Sequence, residues 1–274
     1  MAMFQNPGAF FLGTLVPSEQ KFLKVLLENA RKSGYTKFVE PCAGAFAMSH
    51  LAVQSGFKSS EIEASDVSMF TSIMGYAVTG KSLEELEIHA KGFTDEELLD
   101  PAVAMYAWKY LSTVKNAGKE YFYNFMLDLA GRREEHIENI REQLKRAQGI
   151  LNGMNYRALD MWKHMEEILE DERCIVIANP PTYTAGFEKY YDTGGMMTWK
   201  EPEYGIFDPK TGLKEFMDMC RDAKCMVLCY EENEPGKTEG EPVFARYGVR
   251  SGINVYLTAN RPEEATALAH GKKI

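Results

Sequence analysis

No apolar run in this chain approaches the roughly 18 residues that a membrane-spanning helix needs, so no membrane association is expected. The opening stretch, MAMFQNPGAFFLGTLVP, lacks a basic start and a small-residue cleavage site. No export signal is therefore expected, and a cytoplasmic location is. No C-x-x-C pair occurs among Cys42, Cys174, Cys220, Cys225 and Cys229, and no histidine stands at ligand spacing from them. They are expected as reduced, mostly buried thiols, with no metal. Positive charge is also short: 31 Lys and Arg against 40 Asp and Glu leave a net charge of −9. Such a chain repels nucleic acid at long range, so any groove for it must be local. Repeats and low-complexity tracts are missing too. With 45% hydrophobic and 26% charged residues, the sequence excludes disorder and collagen-like structure. What is left is an ordinary globular chain of 274 residues. That is long for one domain and short for two, which suggests a catalytic-sized domain carrying an insertion.

The pattern along the chain agrees. Residues 18–32 have helical spacing at Phe22, Leu23, Leu26 and Leu27, with Ser18 as a cap after Pro17. Lys37-Phe38-Val39 is extended and runs into Glu40-Pro41-Cys42-Ala43-Gly44-Ala45-Phe46. A helix over 47–55 stops at Gly56, and a second strand over 61–65 closes on Asp66. Strand, small-residue turn, helix, strand and acid together open a doubly wound α/β sheet. From about 67 to 170 strand signals vanish. Thr94-Asp95-Glu96-Glu97 is a capping box, and 102–117, 119–148 and 154–170 read as helices. The heptads are not sustained, so a packed bundle is expected rather than a coiled coil. The α/β pattern resumes with Cys174–Ala178, continuously apolar like a central parallel strand. A long loop at 185–210, a helix at 213–223, a buried strand at 225–230 and an acidic loop at 231–241 follow. The strands 243–247 and 253–259 flank a glycine-bounded turn and form a hairpin. The predicted architecture is an α/β doubly wound, mostly parallel sheet. Residues 1–80 and 171–274 form its catalytic domain, and 81–170 form a helical insertion.

Two turns carry the chemistry. At 40–46 a strand ends in small residues and opens a helix, so backbone N–H groups can approach a ligand closely. Asp66 follows Gly44 by 22 residues, a spacing at which an acid at the end of the next strand can hold ribose hydroxyls. A plain β–α turn with a surface Asp would look the same. The second turn is Asn179-Pro180-Pro181-Thr182-Tyr183. Two prolines fix a rigid backbone at the end of a strand. The Asn179 side-chain oxygen and the Pro180 carbonyl are two acceptors there, which suit the two donors of an NH₂ group. A structural Asn-Pro turn is the bland alternative.

Together, Glu40-Pro41-x-Ala43-Gly44 followed by Asn179-Pro180-Pro181 resembles the class I S-adenosylmethionine-dependent DNA amino-methyltransferases, most of all the Dam-type DNA adenine methyltransferases. In that family a D/E-P-F-x-G-type turn binds the methyl donor and a D/N-P-P-Y-type turn binds the target amine, in this order. The helical insert looks like its target-recognition region, and Arg250-Ser251-Gly252 with Leu257–Asn260 looks like its last hairpin. The resemblance covers about 160 residues outside the insert. It departs from the pattern at Cys42, where Phe is usual, at Phe46, where a second Gly is common, and at Thr182, where an aromatic is usual. Tyr183, Tyr190, Tyr191 or Trp199 would have to supply the ring that stacks on the base.

The resemblance implies a Rossmann-like fold and S-adenosylmethionine as donor. Glu40, Ala43, Gly44, Ala45, Phe46 and Asp66 would hold the donor, and Asn179, Pro180, Pro181 and Tyr183 the extruded base. It implies DNA, double-stranded, as partner, in a restriction-modification or phage setting. Within 101–165 ten basic residues face seven acidic ones, a net of +3 against −9 for the chain. Arg132, Arg133, Arg141, Lys145 and Arg146 are the phosphate-contact candidates, with Arg246 and Arg250 in the hairpin, although charged helices are more often simply solvated faces. The same fold could instead methylate an RNA base or a protein glutamine amide. A non-catalytic acidic binding protein that kept the fold is a third reading.

Overall fold

The structure is a computed structural model, and it describes residues 15–180, 192–208, 210–250 and 252–271. Helix α1 (Pro17–Lys32) opens it. The Glu19 carboxylate, and not Ser18, caps this helix, accepting the Val16 N–H at 3.1 Å. Leu23, Leu26, Leu27 and Ala30 recur at helical spacing and are buried. Then come β1 (Lys37–Pro41), α2 (Ala47–Gln54), β2 (Ile62–Asp66) and α3 (Met69–Thr79). The strand–turn–helix–strand reading of 37–66 holds within a residue or two.

Seven strands form one sheet in the order β4-β2-β1-β5-β7-β9-β8. Five consecutive strands from one edge, β4 (Asn155–Ala158), β2, β1, β5 (Cys174–Ala178) and β7 (Met226–Asn233), are parallel. The other two, β8 (Pro242–Arg250) and β9 (Ile253–Ala259), form the expected antiparallel hairpin. Alternate residues of each strand point to opposite faces. Phe38, Ile62, Ile175, Ile177, Leu228 and Leu257 pack beneath α1, α2, the end of α6 (Arg133–Leu151) and α9 (Pro262–Ala269). Val39, Cys174, Val176, Val227 and Cys229 pack beneath α7 (Met161–Ile168) and α8 (Gly212–Cys220). Helices on both faces explain why β5 is apolar at every position. The strand order turns back between β1 and β5, and ligands bind beyond the carboxyl ends of strands at such a point.

The helical segment has its own core. Helices α3, α4 (Pro101–Lys115), α5 (Glu120–Gly131) and α6 (Arg133–Leu151) enclose Phe70, Ile73, Met105, Trp108, Leu111, Leu129 and Ile137. Three expectations need correction here. The span 119–148 is not one helix: it breaks at Arg132, whose backbone (φ −126°, ψ 36°) is not helical. The capping box at Thr94 forms, with Thr94 N–H on Glu97 at 2.9 Å, but it starts only a short 3₁₀ turn. The span 154–170 is not one helix either. Residues 155–158 are β4, the edge strand of the main sheet, paired with β2 from Glu63↔Asn155 to Asp66↔Ala158. Its Tyr156 fills the sheet core, and four residues are too few to show a period of two.

A second, two-stranded sheet pairs β3 (His89–Ala90) with β6 (Met197–Thr198) inside the expected long loop. Lys91 N–H bonds Met196 O and Lys200 N–H bonds Leu86 O, both at 2.8 Å. Asp192 is ion-paired to Lys115 of α4. Helix α9 (Pro262–Ala269), which the pattern did not suggest, closes the fold against α1, where Asn29 Nδ2 donates to Leu268 O at 2.7 Å. Among the described residues, no helix is long and apolar enough to cross a membrane. All five cysteines are free, four of them buried.

Candidate active site

The first turn is a strained backbone. Cys42, Gly44 and Phe46 are all left-handed, at φ 59°, 53° and 59°. For a non-glycine residue that costs roughly 1–2 kcal/mol, so other contacts must hold the turn. Ala43 N–H bonds Ser65 O at 3.0 Å, and Phe46 N–H bonds Ala43 O at 2.8 Å. Gly44 N–H donates to Asp66 Oδ2 at 2.9 Å. The other oxygen, Asp66 Oδ1, accepts the Ser68 N–H at 2.8 Å. Asp66 thus ties the turn to the end of β2, and burial raises its pKa.

Glu40 is buried and faces α2, where it acts as a cap. Its oxygens accept Met48 N–H at 3.1 Å and Ser49 N–H at 2.8 Å, together with the Ser49 hydroxyl. Burial outweighs these bonds and pushes its pKa up to about 7. Phe46 does not line the crevice as a side chain. It is fully buried and meets Tyr156 edge-on, with ring centroids 5.5 Å apart. It therefore offers a ligand only its backbone. Ala43 and Ala45, with Gly44 between them, keep the rim of the turn low.

Sequence reasoning missed Asp160. It stands two residues beyond β4, beside Asp66 at the end of β2, and its Oδ1 caps α7 through Trp162 N–H at 2.8 Å. Leu159 N–H bonds Asp66 O at 3.2 Å, which joins the two strand ends. The signal was an Asp in front of an amphipathic helix, hidden because β4 was read as part of that helix. Beneath it, the fully buried His164 places Nδ1 2.8 Å from Ser65 Oγ and Nε2 3.5 Å from Glu63 Oε2. Hydrogen bonding to His164 holds Glu63 at about 2. This contact locks α7 onto β2 and so fixes Asp160. Burial, then the charges of Asp66, Asp160 and Glu40, push the Cys42 thiol well up. Three acids thus surround one thiol at this end of the sheet, a set of oxygen acceptors that suits a cationic ligand bearing hydroxyl and amino donors.

The second turn begins at the carboxyl end of β5, across the switch point. Asn179 is exposed and Pro180 is buried. The β5–β7 register, Ala178↔Cys229, puts Tyr230 level with Asn179 on the neighbouring strand. The structure therefore brings Asn179 and Pro180 to the same sheet end as Glu40–Phe46 and Asp66. Pro181, Thr182, Tyr183, Tyr190 and Tyr191 lie outside the described residues. Trp199 is half-buried in the helical core and is not in the crevice.

The basic candidates do not form an open patch. Arg132 pairs with Asp128 and Glu135, Arg133 with Glu97, Arg141 with Asp100 and Glu138, and Arg146 with Glu142. Lys145 is exposed. Arg250 ends β8 opposite Ile253. A phosphate reaching these arginines must displace carboxylates, although such surface pairs are worth only about 0–1 kcal/mol each.

A doubly wound sheet with an acid-lined small-residue turn and an Asn-Pro turn on either side of its switch point defines a Rossmann-like class I methyltransferase fold. The chain belongs to the family described as Phage DNA Adenine Methylase-like domain 1, whose model matches residues 11–274. No curated protein sequence matches it. Among solved structures it is similar to the rRNA methyltransferase aviRa from Streptomyces viridochromogenes. That likeness has 11% identity and a TM-score of 0.40, and covers 98% of this chain and 91% of the other.

Proposed function

We propose that this protein transfers a methyl group from S-adenosylmethionine to the exocyclic amine of adenine in DNA. The observation that carries this reading is the pairing of the two turns at one sheet end. One is acid-lined and low-rimmed; the other presents Asn179 in the open. The donor supplies the methyl group as a sulfonium, a cation that suits the oxygen acceptors of Glu40, Asp66 and Asp160. The backbone of Ala43–Phe46 lies along it, and Asp66 and Asp160 face its hydroxyl and amino donors with their remaining lone pairs.

The target amine is a weak nucleophile because its lone pair is delocalised into the base. Asn179 and the Pro180 carbonyl accept its two hydrogens, which draws the nitrogen toward a tetrahedral geometry and frees the lone pair for in-line attack. A buried Pro180 keeps its carbonyl fixed in direction. The base must leave the duplex to reach this point. Residues 81–170 are the candidate target-recognition region, with Pro181 and Tyr183 as the further contacts to the base. The family description supports adenine and DNA.

The net charge of −9 and the ion-paired arginines favour an acceptor without phosphates, a protein glutamine amide, on the same fold, and an RNA base is the further alternative. The test is transfer of labelled methyl to unmethylated DNA, followed by digestion to nucleosides. Label on adenine that disappears in Asn179→Ala, with donor binding unchanged by calorimetry, is the expected result. Donor binding without label on DNA moves the acceptor to RNA or protein. Loss of donor binding altogether leaves a non-catalytic protein.

A further inference from the structure

The register of the hairpin β8–β9 shifts twice, between Pro242 and Phe244 and again between Arg246 and Arg250. Arg246 pairs with Val255 and Arg250 with Ile253. Three residues, Tyr247, Gly248 and Val249, therefore stand opposite the single residue Asn254. Such a bulge bends its strand and re-aims the side chains it carries. This one is pinned. The buried Asn254 accepts the Gly248 N–H at 3.0 Å and donates to the Tyr256 hydroxyl at 2.9 Å. That hydroxyl in turn accepts the Gly236 N–H at 3.2 Å. Gly248 is left-handed at φ 67°, which glycine permits at no steric cost. The product of this construction is a tyrosine thrown outward: Tyr247 is 75% exposed.

Its position follows from the strand register. Ala178 aligns with Cys229, Cys229 with Thr258 and Tyr230 with Leu257, which itself faces Phe244. Tyr247 thus stands three residues beyond the level of Asn179, on the side where the crevice opens. At ordinary strand spacings that is about 10 Å along the strands and about 14 Å across them. This separation suits an extruded base held at Asn179 while its duplex lies against the hairpin tip. The arginines Arg132, Arg133, Arg141 and Arg146 of the helical layer are engaged by carboxylates. A ring that stacks on bases binds nucleic acid without needing positive charge.

Resting on the functional reading above, we propose that Tyr247 is a wedge: its ring enters the base stack beside the extruded adenine and fills the space that the base leaves. The occupant of this surface is double-stranded DNA. Aromatic and apolar side chains that enter a stack hold an unstacked step open.

The test uses the whole chain and two duplexes containing the site that the wild-type protein methylates: one keeps adenine at the target position to report transfer, and the other carries 2-aminopurine there, which lacks the acceptor amine and reports extrusion alone. Tyr247→Ala is expected to lower both the fluorescence rise and the transfer rate about tenfold or more on the paired duplex. Donor binding by calorimetry stays unchanged. An abasic site opposite the target removes the need for a wedge and restores transfer in the variant. Tyr247→Phe keeps the ring and the activity. Wild-type rates in Tyr247→Ala, or an equal loss on paired and abasic duplexes, overturn the wedge alone. Transfer by the wild-type protein to RNA or protein, and to no DNA, overturns the functional reading and the wedge with it.

Discussion

Glu40 should make the protein less stable as pH rises through neutrality, and Glu40→Gln should remove that dependence. In the fold its pKa stands at about 7, against 4.5 for an unperturbed glutamate. The folded state therefore holds this proton more tightly than the unfolded chain does. Stability from the protonated group is complete below about pH 4.5 and is lost as pH climbs through about 7. At about 1.4 kcal/mol per tenfold change in proton affinity, ionising Glu40 inside the fold costs about 3 kcal/mol. The carboxyl is fully buried, so solvent screening does not reduce this much. For a chain of this length that is a melting shift of roughly 5 °C. Asp66 and Glu231 are also raised by burial and act with the same sign, but both variants keep them. Glu63, held at about 2, acts with the opposite sign and only in more acid solution. The difference between wild type and Glu40→Gln isolates Glu40. Urea unfolding at pH 5 and pH 8, with m-values checked for equality, measures it. Equal pH dependence in the two proteins would refute the assignment of the shift to this buried carboxyl.

Four further outcomes are expected. A cation bound beside Glu40 favours its ionised form, so S-adenosylmethionine binding by calorimetry should tighten as pH rises from 6 to 8, with proton release; the trend should vanish in Glu40→Gln. Gly75→Ala places a Cβ 2.4 Å from the buried Tyr156 ring, so it should cost at least about 1–3 kcal/mol in urea unfolding. Phe46→Gly relieves about 1–2 kcal/mol of left-handed strain but empties a core site worth about 3–5 kcal/mol, so a net loss of about 1–4 kcal/mol is expected by the same measurement. Tyr156→Phe removes the hydroxyl that lies 2.9 Å from Ser72 Oγ and should cost about 1 kcal/mol.

Much of the sheet could be read from short local patterns. Cys174–Ala178 is apolar at every position because helices cover both its faces, and that signal needs no partner strand. Glu40–Phe46 and Asp66 were legible because small residues and acids at strand ends have few other uses. Asn155–Ala158 was not, since its membership in the sheet depends on β2, nearly a hundred residues earlier, and its neighbours are strongly helical. Asp160 was missed for that reason. The orientation of Glu40 and Phe46 was also hidden. Residue type places them in the turn, but only the left-handed backbone at 42, 44 and 46 turns one toward α2 and the other toward Tyr156. The ion pairing of Arg132, Arg133, Arg141 and Arg146 depends partly on i,i+3 and i,i+4 neighbours, which the sequence shows. Glu97 and Asp100, which come from outside those helices, it does not.

The small sheet formed by β3 and β6 bears on how this fold can diversify. A segment is easiest to exchange between relatives when its two ends meet at one place in the chain. Here the helical layer is stitched twice. It returns to the main sheet through β4, and it also grips residues 192–200 through Lys91–Met196, Leu86–Lys200 and Lys115–Asp192. A chimera that replaced only residues 81–151 would leave β6 without its partner strand. Recombination that preserves folding must carry 81–151 and 192–200 together, so this layer is exchanged between relatives as two coupled segments or not at all.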